Sequence, residues 1–149
     1  VATGQGVTAL YASNSLQLEE RYALITLFSR LGLVLWLKEE SQMAVITAVA
    51  SSGIALYAVF TEVFEEKLLA ENIKSTEARA VIKQLILGVA DLTSPFERWG
   101  GLVDRVMSPG GTTEAALSHL NKSGFSHILS GALDLAVERS KSIGKEDAC

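Results

Sequence analysis

The chain has 149 residues, 48% apolar and 20% charged, which is enough apolar material for a packed domain and too much for a disordered chain. Two Pro and one Cys exclude collagen-like and disulfide-stapled scaffolds, and a formal net charge of −4 argues against a broad nucleic-acid footprint, which needs a basic face. The mean hydropathy of +0.28 is high for a small soluble domain, so its excess apolar surface needs a cover outside the chain.

In chain order, residues 7–12 are apolar with β-branched content and follow Gly4 and Gly6, which predicts a short strand. Residues 15–30 alternate apolar Leu16, Leu24, Leu27 and Phe28 with polar Glu19, Glu20, Arg21 and Arg30, a helical pattern that Gly32 should end with a positive φ. The apolar run 33–37 suits a buried strand. Residues 1–38 therefore read β-α-β, and everything after Lys38 reads helical.

Helices are predicted over 39–50 and 53–70, with Ser51-Ser52-Gly53 as a break between them. The second is apolar nearly all round at its start (Ile54 to Phe60), so it must be covered on all sides. The segment 76–92 carries a one-sided stripe of Ala78, Val81, Ile82, Leu85, Ile86 and Val89, with Ser75 or Thr76 as its N-cap. Pro95 can occupy the first turn of a short helix running through Trp99 toward Val106, which Gly100 and Gly101 should interrupt or loosen. Helices over 114–120 and 125–143 complete the chain, with Gly144 ending the last and residues 145–149 frayed.

The longest uncharged stretch, 41–61, is 21 residues and long enough to span a bilayer. Ser51, Ser52 and Gly53 in its middle, Glu62, Glu65 and Glu66 just after it, and the lack of a basic flank favour a helix buried in a protein assembly, with no membrane partner. The start of the chain has no basic segment leading into a long apolar core, and Cys149 has no internal partner. A cytoplasmic protein is expected.

Ser108-Pro109-Gly110-Gly111-Thr112-Thr113 precedes a helical run. Two glycines there let the backbone turn sharply and leave amide N–H groups uncovered, and the helix dipole favours an anion at that end. The loop is suited to a carboxylate or a phosphate; it is equally an ordinary cap, with one Thr capping the helix. Thr47, Ser51, Ser52 and Gly53 are small residues in an apolar stretch that either face a ligand or cap the next helix through Ser52. His119 and His127 have no Cys, Asp or Glu at ligand spacing with both, so no metal site is expected. Trp36 reads as core, Trp99 as core or interface, and Glu62, Glu65 and Glu66 as a solvated face. No G-x-G-x-x-G is present.

The Ser108–Thr113 run closely resembles a signature of the pyrroline-5-carboxylate reductases. Residues 47–55 resemble that family's T-A-x-S-G-S-G-P-A segment, and Val7-Thr8-Ala9-Leu10 its G-V-T-A-L strand. The resemblance covers essentially the whole chain. It implies a mainly α fold: a short β-α-β remnant of a Rossmann domain over 1–38, then an all-helical domain over 39–149 like the C-terminal domain of 6-phosphogluconate dehydrogenase. It implies reduction of 1-pyrroline-5-carboxylate to L-proline with NADP(H) or NAD(H), in a homodimer or higher oligomer. Ser108 and the amides of Gly110, Gly111 and Thr112 would hold the substrate carboxylate. The Thr113 hydroxyl would bond the ring nitrogen, and Thr47 would line the floor between substrate and nicotinamide, with Ser52 and Gly53 as further pocket residues.

The chain departs from the pattern at Ser51 and Ile54, where the family has Gly and Pro, and at Leu56, where Tyr is usual. Most of the cofactor-binding residues are expected outside this sequence. A non-catalytic helical dimerisation module related to the family is the alternative, and a helical domain of a β-hydroxyacid-type dehydrogenase a further one.

Overall fold

A computed structural model describes residues 3–93 and 98–146. The chain divides into two compact units, one of Val1–Ile54 with Ala132–Cys149 and the other of Ala55–Gly131.

The first unit opens with β1 (Gly6–Leu10), α1 (Leu18–Phe28), a 3-10 turn (Ser29–Leu31) and β2 (Gly32–Trp36). The strands pair in parallel with Gly6 opposite Gly32 and Leu10 opposite Trp36, as the β-α-β pattern predicts. Helix α1 starts later than its apolar periodicity suggests, because Gln17 is extended (φ −65°, ψ 157°). The Gln17 N–H donates to the Glu20 carboxylate at 2.8 Å, which ties an otherwise open end. Gly32 does turn the chain, with φ +134°. Trp36 is half-buried; Arg21 lies 4.8 Å over its ring, and its Nε1–H has no hydrogen-bond partner among the described residues.

Helix α2 (Gln42–Thr47) begins at Gln42 and not at Glu39. The Gln42 side chain accepts from the N–H groups of Lys38 (2.9 Å) and Glu39 (3.2 Å), and that holds residues 38–41 as a turn. The expected break at Ser51-Ser52-Gly53 is absent. A π-helical turn (Ala48–Ser52) joins α2 to α3 (Gly53–Ala70), and the whole runs as one 29-residue helix. Gly53 is helical (φ −55°, ψ −31°), and its N–H reaches the Ala48 carbonyl five residues back. One extra residue is thereby absorbed without breaking the helix. Ala44 and Ala48 are the buried positions of this stretch, and Ala50 and Gly53 are half-buried.

The second unit holds the rest of α3, then α4 (Ser75–Leu92), α5 (Trp99–Val106), α6 (Thr112–Lys122) and the start of α7 (Phe125–Glu146). Phe60 of α3 packs edge-on to Phe64 at 4.9 Å and lies 6.1 Å from Phe125 of α7. Neither Ser75 nor Thr76 caps α4; Lys74 is the N-cap and Ser75 the first helical residue. The Ser75 hydroxyl instead donates to Glu65 Oε1 at 3.1 Å, and Arg79 Nε donates to the same oxygen at 2.8 Å. Arg105 donates to the Leu92 carbonyl at 3.0 Å, linking α5 to the end of α4. Pro95 lies outside the described residues. Gly100 and Gly101 sit inside α5 and do not interrupt it, since the Gly101 N–H is held by the Arg98 carbonyl at 2.8 Å. Gly144 does not end α7 either; the helix runs through it to Glu146, and the positive φ falls at Gly124, between α6 and α7.

Few side chains are covered by the chain itself. Among the described residues only Ala44, Ala48, Ala78 and Ile82 are buried hydrophobics. In the α4 stripe Val81, Leu85 and Ile86 face outward beside buried Ala78 and Ile82. Helix Gln42–Ala70 is long and apolar enough to cross a membrane by length and composition, with 6% of its most apolar window buried.

Candidate functional site

The Ser108–Thr113 segment folds as a tight turn onto the N-terminus of α6 within the second unit. Gly110 has φ +72°, a conformation costly for any residue with a Cβ. The Gly111 N–H closes the turn on the Ser108 carbonyl at 2.9 Å. A Cβ on Gly111 would press on that carbonyl at 3.0 Å, so both glycines have a geometric reason. Gly111 is the N-cap (φ −85°, ψ 174°), Thr112 is the first helical residue, and neither Thr makes a side-chain cap hydrogen bond. The reading in which a Thr caps this helix is therefore replaced by a glycine cap.

Ser108, Gly110, Gly111, Thr112 and Thr113 are thus brought together in one turn. Ser108, Gly110 and Thr112 are exposed, while Gly111 and Thr113 are half-buried. The first-turn N–H groups of Thr112, Thr113 and Glu114 have no intrahelical acceptor and point to where the helix dipole favours an anion. The Gly110 amide is already engaged: it donates to the Glu114 carboxylate at 2.5 Å. Glu114 was not singled out from the sequence. Its spacing three residues after the N-cap is the signal that could have found it, as in a capping box.

Thr47, Ser52 and Gly53 lie elsewhere, on the helix of the first unit. Thr47 ends α2, Ser52 ends the π turn and Gly53 starts α3. Thr47 and Ser52 are exposed. Ser52 makes no cap, because the helix does not begin after it. Among the described residues no three His, Cys, Asp or Glu side chains group as metal ligands, and no strand leads into a G-x-G-x-x-G turn.

Residues 40–143 match the family model for pyrroline-5-carboxylate reductase dimerisation. The pyrroline-5-carboxylate reductase of Pasteurella multocida is 34% identical over 143 residues, which cover 95% of this chain and 52% of that protein. The structure of a pyrroline-5-carboxylate reductase from Coxiella burnetii superposes with a TM-score of 0.87 at 27% identity, over 95% of this chain and 53% of that one. A Plasmodium falciparum pyrroline carboxylate reductase, solved with NADP bound, shares the fold with a TM-score of 0.84 at 22% identity, over 95% and 58%. The chain spans about half the length of the curated relatives it matches. Its mainly helical fold and its match over 40–143 lead to one conclusion: the chain belongs to the pyrroline-5-carboxylate reductase dimerisation family.

Proposed function

We propose that this chain is the substrate-binding and dimerisation half of an enzyme that reduces 1-pyrroline-5-carboxylate to L-proline with a hydride from NADPH or NADH. The observation that carries this reading is the family match over residues 40–143, joined to relatives named for that activity. Residues 1–38 are then the last piece of a dinucleotide-binding domain, and 39–149 the helical substrate and dimerisation domain. The described residues lack the glycine-rich turn that grips a dinucleotide pyrophosphate. They do not fit that part of a cofactor site, so most of the cofactor contacts are assigned outside this chain, and its residues are assigned chiefly to the substrate and the partner subunit.

In this reading the substrate carboxylate sits at the Ser108–Thr112 turn, against the Ser108 hydroxyl and the amides of Gly110, Gly111 and Thr112. The helix dipole and the open first-turn amides support it. The Gly110 and Gly111 amides are held inside the turn, so the Thr112 amide is the ready donor and the other two must exchange a bond to join it. The Thr113 hydroxyl meets the ring nitrogen, where a proton must be managed as imine becomes amine. The family resemblance assigns Thr47 to the floor between substrate and nicotinamide, and Ser52 and Gly53 to further pocket positions. The chain's contribution to rate is positioning.

The partner is a second copy. The exposed apolar side chains along helix Gln42–Ala70, Ile54, Tyr57 and Val59 among them, suit an interface with another chain. Helix Gln42–Ala70 is read as a subunit-contact helix in a cytoplasmic protein, not as a membrane span. One observation favours the non-catalytic module as a second reading: the helix runs unbroken through Ser52, Gly53 and Ile54, where the resemblance expects a proline. Full-length protein assayed for NAD(P)H oxidation with pyrroline-5-carboxylate decides. Turnover is expected; none in a folded, cofactor-binding protein overturns the enzyme reading.

A further inference from the structure

We infer that Glu114 is a positioning residue that competes with the substrate carboxylate for the loop, and so sets how tightly an anion is held there. The inference rests on the carboxylate placement proposed above. Gly110 has the left-handed backbone that only glycine adopts without cost, and its amide donates to the Glu114 side chain at 2.5 Å. The Glu114 carboxylate therefore already occupies one of the donors assigned to the ligand. It is tethered through the first turn of α6, so its effective concentration at that amide is high without any binding step. An incoming carboxylate must displace it, or bind beside it against like-charge repulsion. Gln at the same position keeps an oxygen able to accept from Gly110, but as a neutral and weaker acceptor. Glu114→Gln thus leaves the turn tethered while lowering the barrier to a ligand anion. A purely structural role for Glu114 predicts the opposite sign, because weakening the tether loosens the loop and the ligand's hold with it.

The test is an NMR titration of the full-length protein, ¹⁵N-labelled at glycine, with L-proline, following the Gly110 and Gly111 amides, with L-prolinamide as the ligand lacking a carboxylate. Glu77→Gln, which removes a first-turn charge from α4, is the control for net charge. The expected result is an apparent Kd for proline about three- to tenfold lower in Glu114→Gln than in the parent chain. Prolinamide binding and the Glu77→Gln variant should show no such gain. Unchanged or weaker proline binding in Glu114→Gln, with the loop amides still responding in the parent, overturns the competition and leaves the site standing. An equal gain in Glu77→Gln also overturns it. If the loop amides stay unmoved in both proteins into the hundred-millimolar range, the carboxylate placement itself fails, and the competition with it.

Discussion

Gly32 stands directly opposite Gly6 in the parallel pair, and the Gly6 backbone fills the space that a Cβ on Gly32 would need. The close approach and the φ of +134° act together. Either alone restricts the position, and both forbid a side chain without movement of β1. Gly32→Ala should lower stability by about 2–4 kcal/mol, the sum of a glycine-only backbone and a backbone clash. Thermal or urea denaturation checks it. A loss under ~1 kcal/mol would mean that β1 moves aside freely.

Thr113 is half-buried beside the turn, and the proposed function has its hydroxyl meet the substrate's ring nitrogen. In full-length protein Thr113→Val should lower kcat/KM by about 10²- to 10³-fold, while Thr113→Ser should keep most of it. Steady-state kinetics with both variants separate loss of the hydroxyl from loss of the methyl. Equal kinetics for parent and valine variant would remove Thr113 from the mechanism.

Arg79 and Ser75 both donate to one oxygen of Glu65, which ties α3 to α4. The Arg79 side chain is 73% exposed, so water competes for this ion pair. A double-mutant cycle on Glu65→Gln and Arg79→Gln should give a coupling of only ~0.5 kcal/mol that fades with added salt. A coupling of several kcal/mol would show that the pair is buried in the assembled protein.

Ile54 and Tyr57 are 72% and 63% exposed on a helix apolar enough for a bilayer. If a second copy covers them, the chain should be a dimer by light scattering and should not partition into neutral lipid vesicles. Ile54→Glu should shift the dimer toward monomer, because an unpaired charge would be carried into an apolar interface. A monomeric parent chain that binds vesicles would reverse the assignment.

Much of this was legible in the sequence because periodicity is a local property. The β-α-β start, the helices after Lys38 and the loop before α6 follow from apolar spacing and glycine placement, and the family match agrees with the motifs at 47–55 and 108–113. Helix ends were less legible. Ser51-Ser52-Gly53, Gly100-Gly101 and Gly144 all look like stops, yet each stays in a helix. Glycine permits a break without requiring one, and the surrounding hydrogen bonds decide. The start of α2 was misplaced for a related reason, since a Gln42 side chain holding two amides has no signature in composition.

What the sequence determined by itself is the order and type of the elements, the excess of apolar residues and the glycines of the Ser108–Thr113 turn. These depend on backbone sterics and hydrophobic spacing within a few residues. Only the tertiary structure decided that α2 and α3 are one helix joined by a π turn, that Gly111 caps α6, and that the Gly110 amide is taken by Glu114. It also decided that the apolar excess stays exposed in one copy of the chain. Each of those depends on which of several competing hydrogen bonds or packing partners is present, and a linear pattern does not rank them.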